Sequence, residues 1–338
     1  MYPGPTLRVL PLLFAATVLA GCESVSPITP SDGPANVIVI LADDLGYGDI
    51  STYGGRVPTP HIDRIAAGGV TFTDGYVTTP VCSPARAALL TGRYQQRFGF
   101  EYNARISRKW PGVGLIPQER TIADHLKSAG YATGIVGKWH LGFLDEHYPT
   151  NRGFDEFFGH VAGASDFINP QTAGAISLPM RAARRERSPG DTHADQVVSG
   201  SAKPTPPQQR RHRQIVSGPD KQVVPISGYL TDVLADEAVD YINRHAHEPF
   251  FLYLAFNAPH SPFQVTEAYY DRFPDVENEL QRIYFGMLAA MATGSAVSSM
   301  RSTSTRLPAT RSLSSCRTTA APATSRDSVR ASHCPAGS

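Results

Sequence analysis

Four short stretches of this 338-residue chain carry side chains suited to handling an anion. The first is Val81-Cys82-Ser83-Pro84-Ala85-Arg86, followed by Ala87-Ala88-Leu89-Leu90 and Thr91-Gly92-Arg93. Pro84 suits the first helical position, Ala85 to Leu90 are strong helix formers, and Gly92 suits the exit. Cys82 is therefore expected just ahead of a helix N-terminus, whose free N–H groups favour negative charge, with Arg86 about one turn further in as a fixed cation. The second stretch is Asp43-Asp44. Adjacent carboxylates at a buried strand end repel unless a cation lies between them, and a hard divalent ion with oxygen ligands answers that need. Alone, the pair suits a helix N-cap or a solvated turn equally well. The third is Gly137-Lys138-Trp139-His140-Leu141-Gly142, where strand alternation puts Lys138 and His140 on one face. A lone histidine there would read as a hydrogen-bonded core residue; beside a lysine it makes sense if both address an anion. The fourth is Asn257-Ala258-Pro259-His260-Ser261-Pro262, which brings His260 to a strand end or, read by itself, leaves it in a loop.

Cys82-Ser83-Pro84-Ala85-Arg86 with Leu90-Thr91-Gly92-Arg93 resembles the signature of the formylglycine-dependent, arylsulfatase-type sulfatases of the alkaline-phosphatase-like superfamily. The resemblance runs over about residues 36 to 291 and takes in Asp43-Asp44, Gly137-Lys138-Trp139-His140 and the His260 block. It implies that Cys82 is oxidised to formylglycine, by a formylglycine-generating enzyme or an anaerobic maturase, and that its hydrate attacks a sulfate monoester. Asp43, Asp44 and residue 82 would hold calcium, with magnesium as the alternative. Arg86 would stabilise the nucleophile, Lys138 would grip the sulfate, and His260 would bind substrate and protonate the leaving oxygen. His140 would take a proton as sulfate is expelled. The substrate implied is an aryl or carbohydrate sulfate, a sulfated small molecule or glycan. Two alternatives stay open: a truncated, inactive sulfatase fragment, and a phosphate or phosphonate monoester hydrolase of the same superfamily. Four strand ends converging on anion chemistry argue against a pure binding module.

The elements that must position these groups follow from periodicity. Asn36 to Ala42 is a continuous β-branched apolar run, suited to a strand buried on both faces. Tyr131 to Val136 and Pro249 to Phe256 read the same way. Thr59 to Ala66 opens a helix after a proline turn, and Val70 to Thr73 reads as a short strand. Ile122, Ala123, Leu126 and Ala129 share one helical face, as do Val233, Leu234, Ala238, Val239, Tyr241 and Ile242. His61 and Asp63 read as structural, as does the aromatic stretch Asn151 to Gly159. Helices alternating with buried strands give an α/β fold. The family resemblance makes it an alkaline-phosphatase-like sandwich, a mixed and largely parallel sheet with helices on both faces.

Composition bounds the rest. Thirty-one basic against 30 acidic side chains give a net charge of +1, no electrostatic case for nucleic acid. Arg8 precedes an apolar run, Val9 to Ala20, too short to span a bilayer. The run closes on Leu19-Ala20-Gly21-Cys22, which resembles a bacterial lipoprotein cleavage box. Residues 1–22 therefore read as a signal peptide with Cys22 lipidated, and 23–35 as a tether. The protein is expected to be exported to the periplasm or cell envelope and to meet the membrane through its lipid anchor only. Residues 36–291 read as the catalytic domain, with 172–220 an aperiodic insertion or loop. Residues 292–338 have six arginines against Asp327 and no aromatic residue, and are expected to be a disordered tail read out of frame. The Asp-Asn pair that the family carries on its next strand is not found there, and the four cysteines, Cys22, Cys82, Cys316 and Cys334, do not form a disulfide framework.

Overall fold

The computed structural model describes residues 34–104, 112–178, 214–296 and 311–313. Its apolar run forms β1 (Val37–Asp43), buried from Ile38 onward. After helices α1 (Pro60–Ala67), α2 (Cys82–Thr91) and α3 (Ile122–Ser128) come β2 (Ala132–Lys138) and β3 (Glu156–His160). Short strands β4 (Ala175–Leu178), β5 (Val216–Ser217) and β6 (Gln222–Val223) precede α4 (Leu230–Arg244). Then follow β7 (Phe250–Pro259), β8 (Phe263–Thr266), α5 (Glu267–Tyr270), α6 (Glu279–Gly294) and β9 (Arg311–Leu313).

Among the described residues, seven strands make the main sheet in the order β6-β5-β3-β2-β7-β1-β9. The five from β3 to β9 run parallel, and β5 and β6 add an antiparallel edge. β7 lies at the centre of the five parallel strands and is buried along its whole length, which is why its sequence shows no alternation. One face of the sheet packs Ile38, Ile40 and Leu252 against Leu234, Ala238 and Tyr241 of α4 and Met287 and Leu288 of α6. The other packs Val39, Leu41 and Tyr253 against Ala87 and Leu90 of α2 and Ala123 of α3. Helices cover both faces of a mixed, mostly parallel sheet, as expected. Parallel strands also end on one edge, so β1, β2, β3 and β7 bring their C-terminal residues together.

Several local expectations are corrected. Cys82 is the first residue of α2, not the residue ahead of it: Val81 is the extended N-cap and Pro84 comes third in the helix. Gly92 closes that helix in the left-handed conformation. Val70 to Thr73 forms no strand; Val70 and Phe72 stand exposed, without a neighbouring strand to pair with. Asn151 to Gly159 holds most of β3. The 172–220 stretch is not all loop, because β4 pairs with β8 and β5 with β3. Such short strands are set by their partners, so local periodicity does not announce them. α6 continues to Gly294, and Arg311–Leu313 lies parallel to Val37–Val39. Cys22, Cys316, Cys334 and the rest of both terminal segments lie outside the described residues.

Candidate active site

Asp43, the last residue of β1, is fully buried. Lys138, the last residue of β2, is equally buried and donates from Nζ to Asp43 Oδ2. Arg86, one turn into α2, donates through Nη1 to the Lys138 carbonyl at 2.8 Å and to the Tyr253 hydroxyl at 3.4 Å. Its Nη2 stands 3.3 Å from Asp43 Oδ1, an ion pair off the hydrogen-bonding line, so both atoms remain without a hydrogen-bond partner. Burial would push the Asp43 carboxyl up, but Lys138, Arg86 and His260 outweigh it and hold the group well below the usual carboxylate range. Asp44 sits on the next residue with a left-handed backbone, φ 63°. Burial, reinforced by Asp43, pushes its carboxyl up against the opposing pull of His260.

Cys82 is buried at the helix start. One ligand-type atom from each of Asp43, Cys82 and His260 lies within 4.8 Å of the others. Burial pushes the Cys82 thiol up, and Asp43 and Asp44 add to that against Lys138 and Arg86. The residue is a neutral thiol here, poorly suited to act as a thiolate nucleophile in its own right. His260 Nε2 stands 3.6 Å from Asp44 Oδ2, while its Nδ1 meets the Ser261 carbonyl at 2.5 Å. Because a carbonyl only accepts, Nδ1 carries the proton and Nε2 is the nitrogen that faces the carboxylates.

His140 arrives differently from the expected alternation. β2 ends at Lys138, and His140 turns into the site with φ 60°. Ser83 fixes it by donating to the His140 carbonyl at 2.6 Å, while the Ser83 amide donates to Asn103 Oδ1 at 2.9 Å. Gly163 packs on its ring so closely that a Cβ there would lie 2.4 Å from the imidazole. Burial, with Lys138 and Arg86 nearby, holds His140 well below its ordinary pKa, so it is a neutral base.

Thus the six expected groups Asp43, Asp44, Cys82, Arg86, Lys138 and His260 lie at one sheet edge, with His140 beside them. His61 and Asp63 stand apart in structural roles: Asp63 accepts from Ser51, Thr52 and Thr59, and His61 faces Arg64. Sequence reasoning missed Tyr253, Asn257 and His160. Asn257, near the end of β7, is buried with neither side-chain atom hydrogen-bonded. His160 pairs in register with Lys138, and burial beside Lys138 brings its pKa down to about 3. Only Asn257 had a sequence signal, its place in the His260 block.

Buried polar atoms without protein partners mark what the site lacks. They are Asp43 Oδ1, Arg86 Nε and Nη2, His140 Nδ1, His160 Nε2 and both side-chain atoms of Asn257. Native proteins seldom leave such atoms unpaired, and here acceptors and donors are mixed. The carboxylate pair, with an Asp43 oxygen that accepts no hydrogen bond, fits a hard cation; the guanidinium nitrogens that donate none fit an oxyanion.

A five-stranded parallel core whose strand ends gather carboxylates, buried cations and neutral imidazole around a helix start defines a member of the alkaline-phosphatase-like superfamily. Within it, the family model described as Sulfatase matches residues 35–313, and the chain belongs to the sulfatase family. It is similar to N-acetylgalactosamine-6-sulfatase of Sus scrofa, 34% identical over 256 residues, 72% of this chain and 43% of that protein. N-acetylgalactosamine-6-O-sulfatase of Bacteroides thetaiotaomicron is 33% identical over 298 residues, 75% of this chain and 54% of that one. Among solved structures, Ps i-CgsB superposes with a TM-score of 0.63 at 32% identity, covering 78% of this chain and 54% of its own. The chain therefore spans about half the length of the relatives it matches.

Proposed function

We propose that this site hydrolyses sulfate monoesters, R–O–SO3⁻ + H2O giving R–OH, SO4²⁻ and one proton, after conversion of Cys82 to formylglycine. The observation that carries the reading is the convergence of Asp43, Lys138, Arg86, Cys82 and His260 at one strand edge, with buried donors and acceptors left unpaired. When bound, a divalent cation on Asp43 and Asp44, calcium or magnesium, would neutralise charge and acidify the hydroxyl that a hydrated formylglycine offers. The chain's own groups then divide the work. Lys138 Nζ, held beside Asp43 at the strand end, would offer its positive charge to a sulfate oxygen. Arg86 would hold negative charge on the nucleophile side through Nε and Nη2, which make no hydrogen bond within the protein. His260, with Nδ1 held on the Ser261 carbonyl, would act as the imidazolium and give its Nε2 proton to the departing ester oxygen, returning to the neutral Nδ1–H ring. His140, kept neutral, takes a proton from the oxygen on residue 82 when sulfate leaves. Burial of Lys138, Arg86 and Asp43 excludes water and strengthens each of these contacts.

A sulfated glycan is the substrate class we favour. The 31%-identical Ps i-CgsB structure is titled as a complex with k-i-k-neocarrahexaose, and two of the relatives are named for N-acetylgalactosamine sulfates. Maturation by a formylglycine-generating enzyme or anaerobic maturase, export, and lipid anchoring through Cys22 complete the proposal on sequence grounds. The test is direct. Mass spectrometry of the peptide containing residue 82 from the native host should find the aldehyde, and the protein should cleave an aryl sulfate faster than the matched aryl phosphate. Unmodified cysteine in that peptide refutes the mechanism, and a phosphate preference moves the protein to the phosphate or phosphonate alternative. Absence of both activities with the aldehyde present leaves the inactive-fragment alternative standing.

A further inference from the structure

Asp44 carries its carboxylate on a left-handed backbone, φ 63°, a conformation that persists when its surroundings hold it. Those surroundings include a residue far along the chain. Tyr284, on α6, donates its hydroxyl to Asp49 Oδ2 at 2.5 Å and also reaches the Asp44 carbonyl at 3.4 Å. The same Asp49 oxygen accepts the Gly46 amide at 2.6 Å. Asp49 thus closes the Gly46–Asp49 turn that follows Asp44, and Tyr284 fastens both that turn and the Asp44 carbonyl to the core helix. Two glycines make the closure sterically feasible. A Cβ on Gly46 would lie 2.6 Å from Asp49 Oδ2, and one on Gly55 would lie 2.3 Å from the Asp49 backbone. Burial and then Asp49 push the Tyr284 phenol up, so it stays a protonated donor. Neither Asp49 nor Tyr284 is among the residues that meet at the site.

We infer that Tyr284 and Asp49 form a latch that positions the Asp44 carboxylate for its cation. The inference rests on the proposed metal reading. Tyr284 and Asp49 are positioning residues acting through the Asp44 turn, and α6 thereby couples to a carboxylate 240 positions earlier in the chain. Asp49→Asn keeps an oxygen that can accept from both Gly46 and Tyr284, whereas Tyr284→Phe removes the donor while leaving the ring packed.

Terbium(III), a hard oxygen-seeking ion, probes the site by directly excited luminescence, and hydrogen exchange of the peptide containing Gly46 probes the turn. Expected for Tyr284→Phe are faster Gly46-peptide exchange, unchanged far-UV circular dichroism, and terbium affinity lower by roughly tenfold, the scale of one hydrogen bond to a charged group. Asp49→Asn should stay within about threefold of wild type in affinity by the same reckoning. Equal affinity of Tyr284→Phe and wild type overturns the latch, whether or not exchange rises, since a purely structural contact would alter exchange alone. A wild type that binds no terbium overturns the metal reading itself, and with it the inference; that outcome is distinct from wild type and variant binding equally.

Discussion

Asp43→Asn tests the charge cluster most severely. The substitution keeps volume and shape but removes the one negative charge lying between Lys138 and Arg86, and all three side chains are fully buried. Desolvating an ammonium and a guanidinium is tolerable only while a counter-charge repays it; with the carboxylate gone, both are left uncompensated. Breaking a buried pair by removing one partner costs about 3–5 kcal/mol, and two cations share this partner, so the upper end is expected. The measurement is urea unfolding in excess chelator, followed by the fluorescence of Trp139, which is itself buried next to Lys138. Adding Lys138→Met to Asp43→Asn should recover stability, because it removes one of the stranded charges. The pH dependence has a definite sign. Asp43 is depressed in the native state, so its contribution is complete above the unfolded value of about 3.9 and is lost only as pH falls through the lower native value. The gap between wild type and Asp43→Asn should therefore be flat from about pH 5 to 8. An Asp43→Asn protein within about 1 kcal/mol of wild type would refute the reasoning, as would a Lys138→Met addition that destabilises it further.

Two other perturbations follow from single contacts. Ser83→Ala strips the His140 carbonyl of its donor and the Ala104 amide of its acceptor, both buried, so thermal unfolding should report a loss of about 1–3 kcal/mol. A loss below about 0.5 kcal/mol would mean that Ser83 does not fix the His140 backbone. At the far end of the sheet, His245 lies 2.7 Å from both Glu248 Oε1 and Glu156 Oε1, joining the end of α4 to the start of β3. Burial would lower its pKa, but the two carboxylates raise it. Its contribution should be full below the unfolded value of about 6.5 and fade as pH rises through the higher native value. Because the site is partly exposed, the effect is worth about 1 kcal/mol or less. Urea unfolding of wild type and His245→Gln should converge at alkaline pH; a gap that widens there would reverse the assignment.

What could be read before folding was local chemistry at the ends of continuous apolar runs. Val37 to Ala42 and Phe250 to Phe256 are so uniformly apolar that only a strand buried on both faces accommodates them, and each is followed directly by its polar cargo. The exit of α2 was legible too, in Gly92. Illegible were elements whose existence depends on a partner. Ala175–Leu178 is a strand because β8 lies beside it, and Val216–Ser217 because β3 does. Val70 to Thr73 has the β-branched and aromatic composition of a strand and yet forms none, for lack of that partner. Within the site, Tyr253 alternates among apolar neighbours, and nothing in its surroundings along the chain announces a hydroxyl within reach of Arg86.

The sheet order also bears on how firmly the site can hold a cation. β9 lies parallel to β1 with Leu313 opposite Val39, so among the described residues it flanks the strand that ends in Asp43 and adds no acidic residue of its own. Among the described residues, the carboxylates gathered at the site are Asp43 and Asp44, and Asp43 already answers to Lys138 and Arg86. Calcium takes six to eight oxygens, and its affinity climbs with the number of charged ligands. Two carboxylates, one of them shared with two buried cations, belong at the weak end of the protein range, at about 10⁻⁴–10⁻³ M. Calcium titration followed by calorimetry should give a constant in that region, and Asp44→Asn should weaken it further. Submicromolar binding would require additional charged oxygens at the site and would show that a two-carboxylate count is wrong.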